Sequence, residues 1–168
     1  MTLLDAPKYD ATREQRRQVF LYSTAGFLVV LLIAWWLVAG RPIDWPWNWN
    51  GYLFGRAAVN NFLGDVEKND LAAAYGVWVH DKNWQQHTDQ HGSYPFSRFQ
   101  QDWSSTSPDN EYGSIQSHKI ALAGRYGNGV LLAVLVNGRK SKPLSLEYDP
   151  RMKVLDFAPP GVELYLGP

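Results

Sequence analysis

Between Gln18 and Gly40 the chain carries no charged side chain. The core of that stretch, Val19 to Ala39, reads VFLYSTAGFLVVLLIAWWLVA. At about 1.5 Å per residue it makes roughly 31 Å of helix, the thickness of a bilayer's hydrocarbon core. A buried core helix rarely avoids polar groups for so long. Val38-Ala39-Gly40 has the small residues of a signal-peptide cleavage site. The apolar run, however, exceeds the usual ~7–15-residue signal core, and the tail before it is long. The expectation is a retained anchor. Arg17 and Arg41 bracket it, and Trp35 and Trp36 lie near its far end, where indole rings favour the membrane–water boundary. Arg13, Arg16 and Arg17 stand just before it, so the positive-inside rule places the N-terminus in the cytoplasm. The C-terminal part is then extracytoplasmic, periplasmic in a double-membrane bacterium. Tyr22 to Gly26 are mostly small or hydroxylated, which suits either close helix–helix approach or ordinary tolerance within a span.

Charge and cysteine content narrow the function classes. Sixteen basic and sixteen acidic residues give a net charge of zero, so no nucleic-acid partner is expected. With no cysteine, disulfides, thiolate catalysis and Cys-based metal sites are excluded. The sequence divides into a tail (1–18), a transmembrane helix (19–40), a Trp-rich interfacial segment (41–52), an extracytoplasmic domain (53–158) and an extended C-terminal tail (159–168). In the interfacial segment, Trp45, Trp47 and Trp49 alternate with Pro46 and Asn48, and Pro46 interrupts any continuing helix. Such a cluster suits a headgroup belt, a docking surface for a neighbouring membrane protein, or both.

Within the domain, Asn50 is positioned to cap a helix starting near Gly51, with Phe54, Ala58, Phe62 and Val66 as its core stripe. Asn69 or Asp70 caps a second helix whose Leu71, Ala74, Tyr75 and Trp78 share a face. Pro95 opens a third, short helix with Phe96, Phe99 and Trp103 on one side. Residues 80–94 are polar and read as a loop or broken helix. From Ser114 the period becomes two, with Ile120, Leu122 and Tyr126 pointing one way. Asn128-Gly129 signals a hairpin, Val130 to Val136 a central strand, and Asn137-Gly138 a second turn. Leu144, Leu146 and Tyr148 alternate, Asp149-Pro150 turns the chain, and Lys153 to Phe157 form a last strand. The fold class is α+β: about three helices over one face of a curved antiparallel four-stranded meander.

This order resembles the nuclear transport factor 2-like fold. The resemblance opens at Phe62-Leu63-Gly64-Asp65-Val66, continues through Asp70-Leu71-Ala72-Ala73-Ala74-Tyr75, and covers roughly residues 53–158. It implies a cone-shaped domain whose second helix lines the cavity. The superfamily holds dehydratases, isomerases and many non-catalytic domains that dimerise or dock through the sheet, so fold alone does not assign activity. The long stretch between second and third helices, without a clear strand, departs from the pattern.

Chemistry-bearing residues are few. His87 and His91 have the i, i+4 spacing of helical metal ligands, with His80, Asp81 and Asp89 nearby. Thr88 stands where zinc metalloproteases need a Glu, and Gly92 and Pro95 oppose a stable helix, so no metal is expected. Tyr75, His118 and Tyr126 are the candidate lining of a cone pocket, with Asp102 and Asp156 as further acids. No acid–base pair stands out by spacing, so neither enzyme activity nor a cofactor is expected. The basic tip Gly138-Arg139-Lys140-Ser141-Lys142 lacks the strand–loop–helix context of a phosphate loop and reads as a solvated turn. Ser107 to Gly113 is turn chemistry too. The expected function is a single-span, non-catalytic accessory subunit. It would stabilise a larger membrane complex, with other integral membrane subunits and the lipid bilayer as partners. An energy-transducing complex, photosynthetic or respiratory, is the expected setting. An anchored assembly factor and an anchored cone-pocket enzyme or ligand-binding domain are the alternatives.

Overall fold

A computed structural model of the chain describes residues 11–162 and 164. The expected tail therefore lies outside the described residues up to Asp10. Of the expected C-terminal segment Glu163-Leu164-Tyr165-Leu166, only Leu164 is described. The chain divides into two units, one ending at Val38 and the other running from Ala39 onward.

The first unit is one helix, α1 (Ala11–Val38). Its stretch Thr12–Val38 is long and apolar enough to cross a membrane, and no part of that apolar window is buried. From Val19 to Val38 its side chains are exposed, with Trp35 and Trp36 in between exposed and buried. An apolar helix without a packed face needs lipid or another protein around it.

The second unit begins at Ala39 and includes the Trp-rich segment. A short 3₁₀ turn, Pro46–Asn48, leads directly into α2 (Trp49–Glu67). Asn48 is the residue before that helix, so Asn50 lies in its first turn and does not cap it. The buried residues of α2 are Trp49, Tyr52, Gly55, Val59, Phe62, Leu63 and Val66. Phe54 is 53% exposed, contrary to the stripe read from the sequence. The reason is geometric. Steps of four residues drift by about 40° per step around a 3.6-residue helix, so Phe54 and Val66 end about 120° apart. Gly55 holds the position that faces the sheet, where a Cβ would come within 3.2 Å of the Tyr148 ring.

Helix α3 (Leu71–Trp78) starts at Asp70, whose carboxylate accepts the Ala73 N–H at 3.0 Å. Ala74, Tyr75 and Trp78 are buried at the predicted spacing. Residues 80–94 hold two 3₁₀ turns, Trp84–Gln86 and Thr88–His91. Pro95 precedes α4 (Phe96–Trp103), which buries Phe99 and Trp103. In the loop after α4, Asn110 is the buried polar residue among those described. Its amide donates to the Ser104 and Gly113 carbonyls and accepts from the Tyr112 and Gly113 N–H groups. Full pairing makes such a burial tolerable.

Strands β1 (His118–Tyr126), β2 (Gly129–Val136), β3 (Leu144–Asp149) and β4 (Val154–Phe157) form an open antiparallel sheet in sequential order. The β1–β2 hairpin turns on Gly127-Asn128, one residue earlier than expected, with Gly127 at φ +54°. A positive φ at the first turn residue suits glycine and matches the strand twist. Helix α2 packs on β1, β2 and β3, and α3 on β4. The covered face carries Ile120, Val130, Leu132, Val134, Leu144, Leu146, Tyr148 and Leu155, all buried.

Strand β1 does not keep one alternation. Ile120 pairs with Val134 but Leu122 pairs with Ala133, so Ala121 is an extra residue. The bulge sends Leu122 and Tyr126 to the face opposite Ile120, where they are 39% and 40% exposed. On that opposite face Leu164 approaches Gly124, with its Cδ2 3.0 Å from the place of a Cβ.

Candidate functional site

The domain interior is an aromatic cluster. Phe62 meets the rings of Trp78 (5.1 Å), Phe99 (6.1 Å) and Trp103 (4.7 Å), each edge to face. Tyr75 is buried beside Trp84, Phe96 and Phe99. Its hydroxyl donates to the Tyr94 carbonyl at 2.6 Å, and burial pushes its pKa up. The neighbouring Tyr94 donates to Asp102 at 2.8 Å and is pushed up further, by burial first and that bond second. Both phenols remain protonated and serve as donors that fix the loop before α4 to the core.

His118 and Tyr126 are not gathered around Tyr75. His118 opens β1, with Nδ1 2.6 Å from the Glu67 carboxylate and Nε2 3.1 Å from the Asn60 amide oxygen. It ties the first strand to the end of α2. Tyr126 closes β1 on the face away from the helices. The three residues sit at three places with separate neighbours.

The histidine-rich loop forms a small cluster on one carboxylate. Asp81 Oδ2 lies 2.7 Å from His87 Nδ1 and 3.4 Å from His91 Nε2, while its Oδ1 accepts the Asn83 N–H at 2.8 Å. His80 stands outside it, exposed and at φ +53°. Thr88–His91 is a 3₁₀ turn, so the helical i, i+4 geometry is not formed. Among the described residues, no group of three His, Cys, Asp or Glu is placed to hold a metal ion.

The bond from His87 is the largest influence holding the Asp81 carboxyl below its usual value of 3.8, against a smaller opposing effect of burial. A carboxyl lowered by folding contributes stability above its unfolded value and loses it as pH falls through the folded one. Asp81→Asn is therefore expected to destabilise the 80–94 loop at neutral pH. The difference from wild type should close below pH 3.8. Hydrogen exchange of the loop amides across that range measures it.

The described residues form, among others, two concavities on the surface. One, of about 570 Å³, is bordered by α4 and the 141–145 and 157–162 segments. Its charged groups pair with each other: Arg98 with Asp102 at 3.1 Å, and Lys142 with Glu111. The other is a groove of about 940 Å³ along the outer side of α2 and α3. Phe54, Ala57, Ala58, Ala72, Ala73, Gly76 and Val77 line it, with His80, Lys82 and Lys153 as its basic residues. The sequence does signal this surface. Phe54 and Ala58 belong to the stripe read as core, and they line the groove instead.

The Trp-rich segment splits into two kinds of residue. Trp49 is buried, and its indole N–H donates to the Asp44 carbonyl at 2.8 Å. Tyr52 donates to the Asp44 carboxylate, and its pKa is raised by burial first and by that bond second. Trp45 and Trp47 are exposed and stacked on each other, ring centres 5.1 Å apart and planes within 2°.

No protein family, curated protein or solved structure matches the chain.

Proposed function

We propose that this chain is a single-span, non-catalytic accessory subunit of a larger membrane assembly. Helix α1 is the anchor, with the N-terminus cytoplasmic and residues 39–168 extracytoplasmic, periplasmic in a double-membrane bacterium. The soluble unit is a nuclear transport factor 2-like domain that braces the assembly, an energy-transducing one being the class expected. The observation that carries this reading is the groove on α2 and α3. It exposes Phe54 beside alanines and a glycine, in a unit joined directly to a helix whose apolar side chains from Phe27 to Ile33 are also exposed. Small residues let a partner's backbone approach closely, and an exposed aromatic supplies an anchor at an interface core.

The test is a photo-cross-linking amino acid in place of Phe54, in the native membrane. An adduct to an integral membrane protein is expected, and a much weaker one from Tyr126 on the other face of the sheet. No adduct at Phe54 removes the groove as the docking surface.

A further inference from the structure

We propose that Ile43, Trp45 and Trp47 form a foot that inserts into the outer headgroup zone of the same bilayer that holds α1. This rests on the reading of α1 as a span.

Ile43 is fully exposed, and Trp45 and Trp47 are 68% and 70% exposed. These are apolar side chains in water unless something covers them. The loop that carries them is held from behind. The Asp44 carbonyl accepts the Trp49 indole N–H, and its carboxylate accepts the Tyr52 hydroxyl, both from the buried side of α2. The Asn48 N–H donates to the Trp45 carbonyl at 3.0 Å and closes the Pro46–Asn48 turn. With Trp49 and Tyr52 in the core, the intervening Trp45 and Trp47 are turned outward and stack on each other. Their exposure is thus set by the fold.

Chain length identifies the occupant. Ile43 lies only five residue steps beyond Val38, the last residue of α1. Fully extended they reach at most about 18 Å. Whatever the domain's orientation, Ile43 cannot move further than that from the helix end. If α1 crosses the bilayer, the headgroup zone is within reach without any additional molecule. Indole rings prefer that zone. The foot leaves the groove on α2 and α3 to a protein partner and limits the angles at which the domain can present it.

The absence of cysteine makes the experiment direct, because each single-Cys variant of the full chain carries one spin label. Labels at Ile43→Cys, Trp45→Cys and Trp47→Cys are compared with Leu28→Cys in α1 and the exposed Met152→Cys in the domain. The chain is reconstituted in phosphatidylcholine–phosphatidylglycerol vesicles. Collision with oxygen reports lipid, and collision with a water-soluble nickel chelate reports solvent. The expected oxygen-to-nickel ratio at 43, 45 and 47 is several-fold above that at 152. A ratio equal to that at 152, with the Leu28 label still in lipid, overturns the foot and leaves the span standing. Protection from both quenchers means that protein covers the rings, which also overturns it. A Leu28 label in water refutes the span and the foot together.

Discussion

Truncating Phe62 to alanine is expected to cost the domain about 3–5 kcal/mol, whereas Phe54→Ala on the same helix stays within about 0.5 kcal/mol. Phe62 is fully buried and touches three other aromatic rings. Its loss leaves a cavity that Trp78, Phe99 and Trp103 can fill only by leaving their present edge-to-face contacts. Phe54 is half exposed over the groove, and removing it opens no cavity in the core. A domain of this size has about 5–15 kcal/mol in total, so the Phe62 variant approaches unfolding at ordinary temperature. Urea titration of the detergent-solubilised chain, followed by near-ultraviolet dichroism, separates the two variants. Equal losses would contradict the α2 packing described above.

The second large effect belongs to α1. Leu28 and Leu32 are one helical turn apart and exposed. Replacing both by arginine removes no packing within the chain but places two cations near the centre of the apolar stretch. Insertion is then less favourable by about 6–8 kcal/mol. The double variant is expected to leave the membrane pellet on alkaline carbonate washing, or to be degraded. Leu28→Phe with Leu32→Phe should remain in the pellet. Unchanged retention of the arginine variant would mean that α1 is held by something other than a bilayer.

Much of the architecture is legible in the sequence because each element carries a local signal. Asp70 caps α3, Pro95 opens α4, and the apolar run Val130–Val136 becomes the central strand. The failures have physical causes. A four-residue repeat looks like a helix stripe, yet it rotates away from the core over three turns. The close approach of Gly55 to the Tyr148 ring depends on a missing side chain and on a residue far along the chain, which no local pattern marks. The bulge at Ala121 reverses the second half of β1, and nothing in the alternation of Ile120, Leu122 and Tyr126 marks it. Asn137 reads as a turn residue only. Its side chain also accepts the Gln116 and Ser117 N–H groups and donates to the Ser114 carbonyl, holding the segment that enters β1. Residues 80–94 look solvated, but Trp84 is buried there against Tyr75 and Phe96.

The candidate site was less legible than the fold. The family resemblance puts Tyr75, His118 and Tyr126 in one cone, whereas contacts across distant parts of the chain hold them at three separate places. Glu67 and Asn60 engage His118 from α2, at a separation of more than fifty residues that no local pattern encodes. The three tryptophans of the juxtamembrane segment look equivalent in sequence. The bond to Asp44, set by the first turns of α2, accompanies the burial of Trp49, whereas Trp45 and Trp47 are exposed.

Native-gel migration of mildly solubilised source membranes, with mass spectrometry of the band that holds this chain, tests the accessory-subunit reading most directly. That reading predicts a large band with the same integral membrane partners at constant ratio. Those partners would be present in the mature complex and not only in assembly intermediates. Migration near the chain's own 19.1 kDa, or a small multiple of it, would contradict the reading.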